Sequence, residues 1–160
     1  MRVRPRQLLQ LNQEHKTKTT MSKINFLFLC TANSARSQMA EALLRKHAGD
    51  RYEALSAGME ATSVHPLAVR VMNEIGIDIS GQRSKNVKEY LGKIPLGHVI
   101  FVCAKAEKNC PYLYPPLIPE SWPFEDPAAA TGTEEERMSK FREVRDQIEA
   151  RIKTWLAAHP

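Results

Sequence analysis

The sequence predicts an α/β domain, a three-layer sandwich in which helices cover both faces of a central, mainly parallel sheet. Two apolar segments, at 24–29 and 98–103, have the continuous hydrophobicity typical of strands buried on both faces. Segments whose apolar residues recur at helical spacing alternate with them, and strands that alternate with helices pair in parallel. At 160 residues, the chain is long enough for one domain with a substantial core.

The first half of the chain contains two predicted strand–helix units. The first helix begins near Arg36 and stops at Gly49, and its apolar residues recur at helical spacing: Met39, Ala40, Leu43 and Leu44. The second strand covers 52–57. The second helix begins at His65-Pro66, because proline suits the first helical position, and it ends at Gly76. Its apolar face is formed by Leu67, Ala68, Val71, Met72 and Ile75.

The second half of the chain contains shorter predicted elements and one long helix. A connection at 77–80 leads to a short helix at 84–93, and a strand follows at 98–103. Prolines make the next segment irregular: Pro111, Pro115, Pro116 and Pro119. Thr133 and Glu136 form a capping box, which starts the last helix. The apolar face of this helix carries Met138, Phe141, Val144, Ile148, Ile152 and Trp155 or Leu156.

The positive charge of the chain is concentrated at its N-terminus. The net charge is +5, of which residues 1–20 contribute +4 and residues 21–160 about +1. We therefore expect 1–20 to be a basic, mostly disordered extension and 21–160 to be the single domain, with no face for nucleic acid. Met21-Ser22-Lys23 resembles a natural start, and a transit peptide is a second interpretation of the extension.

The cysteine content and the apolar segments indicate a cytoplasmic protein. Three cysteines cannot form a fully paired framework, and the N-terminus lacks the apolar core of a secretory signal. No apolar run approaches the roughly 20 residues of a membrane-spanning helix. We expect reduced thiols, no membrane association and a monomer. No metal site is predicted, because the cysteines, even with His65 and His98, contain no close ligand pair.

The segment between the first strand and the first helix has the features of an oxyanion site. Backbone N–H groups and the helix dipole point at one spot there, and the Arg36 guanidinium can bind two oxygens of a tetrahedral anion. The same field is expected to lower the pKa of Cys30 and so produce a thiolate nucleophile. Asn33 tolerates a left-handed backbone, and the Ser37 hydroxyl is placed to stabilise the leaving thiolate. The anion is expected to contact Thr31, Ala32, Asn33, Ser34, Ala35, Arg36 and Ser37.

Two further cysteines point to redox chemistry. Cys30 and Cys103 each follow a buried strand, and ligands bind at the carboxyl ends of such strands, so both are expected to face one crevice. Cys110 follows Cys103 after six residues, and the lysines between them favour thiolates. Pro111 and the later prolines suggest a mobile loop here rather than a continued helix. In the simpler interpretation, Cys103 is a core residue and Cys110 is incidental.

The block CTANSARS after a hydrophobic strand resembles the low-molecular-weight tyrosine phosphatase superfamily, and within it most resembles the thioredoxin-coupled arsenate reductases. The resemblance extends from about Lys23 to the C-terminus. It includes LSAGMEA at 55–61, HPLAVRVMNEIGIDIS at 65–80, VCAKAEKNCP at 102–111 and WPFEDPA at 122–128. Several matching blocks in the same order are more specific than the loop alone.

The resemblance implies a relay of three thiols that reduces arsenate to arsenite without a bound cofactor. Cys30 attacks arsenic, Cys103 attacks the Cys30 sulfur, and Cys110 then attacks Cys103, which leaves a disulfide for thioredoxin to reduce. Asp126 matches the general acid of the family, and Glu125 is its local competitor. Phosphate and sulfate are the expected competitors of arsenate.

The resemblance also concerns a potassium site beneath the loop in some relatives. Asn33, Glu41 and Ser56 match that site, but Lys85 stands where those relatives carry an aspartate. We infer that the Lys85 ammonium takes the cation's place near Glu41, and potassium dependence is not expected. In the loop itself, Ala32 replaces a glycine and Ala35 a cysteine that relatives often carry.

Two alternatives to the reductase remain open. A low-molecular-weight protein tyrosine phosphatase would use Cys30, Arg36, Ser37 and Asp126. Ester hydrolysis does not need the other two cysteines, and such phosphatases tend to carry an aromatic residue where this chain has Ala128-Ala129-Ala130. A non-enzymatic sensor that binds an oxyanion and passes its disulfide state to a partner is the second alternative.

Overall fold

The predicted α/β fold is confirmed by the structure, a computed structural model that describes residues 22–110 and 117–160. The predicted extension at 1–20 lies outside these residues, as do Pro111, Pro115 and Pro116. Within the described part of the chain, no helix is long and apolar enough to cross a membrane.

The centre of the fold is a parallel sheet of four strands in the order β2-β1-β3-β4. The strands are β1 (Ile24–Cys30), β2 (Tyr52–Gly58), β3 (His98–Phe101) and β4 (Glu120–Ser121). Residues 26–29 of β1 are fully buried. Because successive strand residues point to opposite faces, both faces of the central strand are covered, as a three-layer sandwich requires.

In the described ranges of the chain, four α-helices surround this sheet. They are α1 (Arg36–Ala48), α2 (Pro66–Asn73), α3 (Ala104–Asn109) and α4 (Glu134–Ala158). The capping box predicted for α4 is present, with Thr133 accepting from the Glu136 amide and the Glu136 carboxylate accepting from the Thr133 amide. Helices α1 and α2 pack against α4, whose buried residues are Met138, Phe141, Val144, Arg145, Ile148, Ile152 and Trp155. The predicted apolar face of α4 is therefore the one that enters the core.

The structure corrects the prediction at three places in the second half of the chain. The short helix predicted at 84–93 is only a 3-10 turn, Val87–Glu89. Helix α3, between Cys103 and Cys110, has no counterpart in the prediction, and the Cys103 side chain caps its first turn by accepting from the Ala106 amide. The mobile loop predicted from Pro111 onward begins outside the described residues. The two-residue strand β4 escaped prediction, since it is too short for a period-two pattern.

Candidate active site

The loop between β1 and α1 turns its carbonyl groups outward. Those of residues 30–34 accept hydrogen bonds from the surrounding chain: Cys30 from Met59 N–H (3.2 Å), Thr31 from Glu60 N–H (2.9 Å), Ala32 from Thr62 N–H (3.1 Å), Asn33 from Ser84 Oγ (2.7 Å) and Ser34 from His65 N–H (2.9 Å). In a trans peptide the N–H points away from its C=O. The N–H groups of residues 31–35 are therefore directed to the inside of the loop, where an anion would lie.

Asn33 holds the loop in this shape. Its φ is 49°, the left-handed backbone that the sequence analysis expected of it. The side chain is fully buried and bonded at both ends: Oδ1 accepts from the Lys85 amide (2.8 Å) and from Gln38 Nε2 (2.9 Å), and Nδ2 donates to Ser37 Oγ (2.8 Å). Asn33 and Ser37 therefore lie behind the loop rather than in the cavity in front of it, where the anion was expected to contact them.

Two hydrogen-bonding groups and a nearby positive charge surround the Cys30 sulfur. The Asn33 amide donates to Sγ over 3.1 Å, and Ser37 Oγ lies 2.8 Å from it. Ser37 Oγ also accepts from Asn33 Nδ2, and because a thiolate can only accept, the Ser37 hydroxyl donates to the sulfur once Cys30 is ionised. Arg36 adds a positive charge close to the sulfur.

The predicted lowering of the Cys30 pKa is wrong in direction. Burial raises the pKa of the Cys30 thiol, and this outweighs the Ser37 hydroxyl, the Arg36 charge and the nearby backbone amides, all of which lower it. The donors of the loop can be inferred from the sequence, but the loss of water around this sulfur, which is 3% exposed, depends on the packing of the core.

This raised pKa predicts how alkylation of Cys30 depends on pH. A thiol with a raised pKa holds less thiolate at neutral pH, so alkylation by iodoacetamide should be slow there and should accelerate beyond the ordinary pKa of 9.0. Ser37→Ala removes a group that lowers the pKa, so its profile should shift further to high pH. Peptide mass spectrometry resolves the three cysteines, and the exposed Ser80→Ala is the control. Identical profiles for Ser37→Ala and wild type would contradict the assigned role of Ser37.

Asp126 lies beside Arg36 at the cavity. Its Oδ2 is 3.8 Å from Arg36 Nη2, and its Oδ1 accepts from the Ala128 amide (3.0 Å), which starts the 3-10 turn Pro127–Ala129. Arg36 Nη1 also donates to the Phe124 carbonyl (3.1 Å). Glu125 instead pairs with Lys140 over 3.1 Å and does not line the cavity, so the geometry favours Asp126 over its competitor.

A cavity of about 510 Å³ opens in front of the loop. Its lining comes from the loop and from three other segments: Cys30, Thr31, Ala32, Ser34, Ala35, Arg36, Thr62, Cys103, Ala104, Lys105, Pro123, Phe124, Asp126 and Ala128. Cys30 and Cys103 therefore share one crevice, and Cys103 Sγ lies 3.5 Å from Thr31 Oγ1. All three cysteines are free thiols.

Cys110 lies apart from this cavity. It follows the last residue of α3 and is half-buried, and that burial raises the pKa of its thiol. Residues seven apart on an α-helix are separated by about 10 Å along its axis, whereas the Cα atoms of a disulfide lie about 4.4–6.8 Å apart. Cys103 and Cys110 therefore cannot pair while α3 is folded.

The positions matched to a cation site contain an ammonium group. Lys85 Nζ lies 3.5 Å from Glu41 Oε1, 3.5 Å from Ser56 Oγ and 3.1 Å from the Arg83 carbonyl. The Lys85 and Glu41 side chains are 9% and 5% exposed, so this is a buried ion pair beneath the loop. Over residues 22–110 and 117–160, no group of three or more His, Cys, Asp and Glu side chains is arranged to hold a metal ion.

No sequence pattern predicted the residues that support the loop from outside. These are the segment 59–65, which binds the loop carbonyls, and the side chains of Gln38 and Ser84, which bind Asn33. Their polar side chains and backbone amides carry no signal in a single sequence.

The fold and the loop define a class of α/β proteins that present an oxyanion loop between the first strand and the first helix. A family model described as low molecular weight phosphotyrosine protein phosphatase matches residues 25–159. The chain belongs to this family.

Within the family, the chain is similar to proteins named arsenate reductase. It is 48% identical to the arsenate reductase of Bacillus licheniformis, over 83% of this chain and 95% of that protein. A solved arsenate reductase in the phosphate binding state is 33% identical, covers 84% of this chain and 98% of its own, and has a TM-score of 0.66. Another in the oxidized state is 32% identical, covers 84% and 97%, and has a TM-score of 0.70.

Proposed function

We propose that this protein reduces arsenate to arsenite by a three-cysteine relay that thioredoxin regenerates. The observation that carries the proposal is the shared cavity, which joins an inward-facing ring of loop N–H groups to two free thiols, Cys30 and Cys103. An oxyanion loop with one cysteine serves ester hydrolysis equally well, but a second thiol at the same cavity can carry away an oxidation. The relatives named arsenate reductase support arsenate as the substrate.

In the first step the loop binds arsenate and Cys30 attacks it. The N–H groups of 31–35 and the Arg36 guanidinium hold the oxygens. The Cys30 thiolate, stabilised by Ser37 and the Asn33 amide, forms a bond to arsenic. One arsenate oxygen leaves as water, and Asp126 at the same cavity supplies a proton to it.

In the second step Cys103 attacks the Cys30 sulfur. The sulfur–arsenic bond breaks, and its electron pair stays on arsenic, which leaves as arsenite. The two thiols thereby supply the two electrons of the reduction and become a Cys30–Cys103 disulfide. Thr31 Oγ1 lies 3.5 Å from Cys103 Sγ, so the attacking sulfur is close to the loop that holds the adduct.

In the third step Cys110 attacks Cys103, and α3 must unwind for the two to meet. The helix has six residues and buries only Ala106, and helices this short are marginal without strong packing. The resulting Cys103–Cys110 disulfide frees Cys30, and thioredoxin then reduces it by thiol–disulfide exchange. Reduced thiols are the form that the cytoplasm maintains, so we place the activity there.

The proposed function is tested by arsenate-dependent oxidation of NADPH in the presence of thioredoxin and thioredoxin reductase, starting from reduced protein. Sustained turnover is expected, and it should disappear in Cys103→Ser. Release of nitrophenol from an aryl phosphate, with no NADPH oxidation, would instead assign the protein to the phosphatases. Stoichiometric arsenate binding without either turnover would indicate a sensor.

We also propose that the Lys85 ammonium replaces a structural potassium ion. In wild type, melting temperature and activity should be equal in KCl and NaCl. Among the described residues, Lys85→Ala leaves the buried Glu41 paired with the Arg45 guanidinium alone, at 3.5 Å, which should cost about 3 kcal/mol of stability. Potassium should restore part of that loss and sodium less. The exposed Lys88→Ala is the control, and a strong, specific potassium activation of wild type would refute the proposal.

A further inference from the structure

The cavity carries a second cationic side chain besides Arg36. Lys105 lies in the first turn of α3, two residues after Cys103, and lines the cavity while remaining exposed to solvent. Cys103 Sγ contacts Thr31 Oγ1, so this turn of α3 is anchored next to the loop. The charged side chains of the cavity are therefore Arg36, Lys105 and Asp126.

Arg36 and Lys105 differ in the groups that already pair with their charged ends. The Arg36 guanidinium donates to the Phe124 carbonyl and lies near the Asp126 carboxylate. In the described ranges, no carboxylate lies within ion-pair distance of Lys105; the neighbouring Glu107 instead accepts from Ser121 Oγ (2.8 Å). The Lys105 charge thus remains available to a dissolved anion.

The positive charge of Lys105 is unfavourably placed for the stability of helix α3. A cation in the first turn opposes the helix macrodipole, which favours acidic residues there. A lysine at this place weakens a helix that is already short, so its charge does not stabilise α3. It adds positive potential at the entrance to a site that binds anions.

We propose that Lys105 is a specificity-determining residue that draws doubly charged tetrahedral oxyanions into the cavity. The inference deepens the proposed function and rests on it for the identity of the substrate, arsenate. Arg36 and Lys105 give the cavity two cationic side chains, and the substrate carries two negative charges. Phosphate has the same shape and charge and undergoes no reduction, so it reports binding alone.

The test is calorimetric titration of the reduced full-length protein with inorganic phosphate at low ionic strength. Lys105→Ala should weaken binding about five- to ten-fold, and the loss should vanish in high salt, because an exposed charge is screened. Lys105→Arg should bind within about two-fold of wild type. Lys108→Ala removes an exposed lysine of α3 that does not line the cavity, and it should not differ from wild type.

The same variants are then assayed with arsenate. Lys105→Ala should raise KM by the factor found for phosphate and leave kcat unchanged. Equal phosphate affinity in Lys105→Ala and Lys108→Ala would overturn the inference. A fall in kcat with unchanged phosphate affinity would also overturn it, because Lys105 would then act on the Cys103 thiol. Phosphate binding that depends on Lys105, in a wild type that does not reduce arsenate, would refute the proposed function but not this inference.

Discussion

Cys110→Ser should release one arsenite per protein molecule and then stop. Cys30 and Cys103 remain in this variant, so the first two steps proceed and end at their disulfide. These sulfurs belong to residues that are 3% and 4% exposed, and an external thiolate cannot reach a disulfide buried to that extent. We expect a stoichiometric burst followed by a steady rate about 100-fold or more below that of wild type.

The stalled state can be identified directly. Peptide mapping without reductant should find the Cys30–Cys103 disulfide in Cys110→Ser after arsenate treatment. Asn109→Ser changes the adjacent residue of α3, keeps all three thiols and should turn over normally. Sustained thioredoxin-linked turnover of Cys110→Ser would refute the relay, because the buried disulfide would then be reduced without Cys110.

Gly58→Ala should disable the loop without touching any residue of the proposed chemistry. Gly58 ends β2 opposite Cys30, and a Cβ there would lie 2.6 Å from the Thr31 carbonyl oxygen and 2.8 Å from the Asn33 nitrogen. Both are backbone atoms that cannot rotate away, so the loop must shift. Overpacking of this kind costs about 1–3 kcal/mol, and displaced catalytic groups can lower kcat/KM by about 100-fold.

Gly81→Ala is the matched control, because nothing lies within 4 Å of the position where its Cβ would be. Thermal melting of the two variants measures the effect on stability, and phosphate titration measures the effect on anion binding. Gly58→Ala should lose both stability and phosphate affinity, and Gly81→Ala should lose neither. Phosphate binding by Gly58→Ala at wild-type affinity would show that the loop does not depend on this close approach.

The predicted elements agree with the structure where long apolar patterns defined them. Strand β1, helix α1 and the capped start of α4 lie where hydrophobicity and capping residues placed them, because these signals are local. Helix α3 was missed because its six residues bury only Ala106, so no apolar periodicity marks it. Its first turn is capped by the Cys103 side chain, a residue for which sequence rules predict no cap.

By itself, the sequence determined the α/β class, the anion loop between β1 and α1, and the candidate nucleophile, because strand, loop and helix are contiguous in the chain. It also placed Cys103 at the carboxyl edge of the sheet, since the ends of parallel strands meet there. The groups that surround the loop, Cys30 and Cys103 were decided only by the tertiary structure. The direction of the Cys30 pKa depends on how much water the packed core excludes. The outward carbonyls of the loop depend on segment 59–65, and the position of Lys105 at the cavity depends on α3. These contacts join residues that are far apart in the sequence, so no local sequence pattern predicts them.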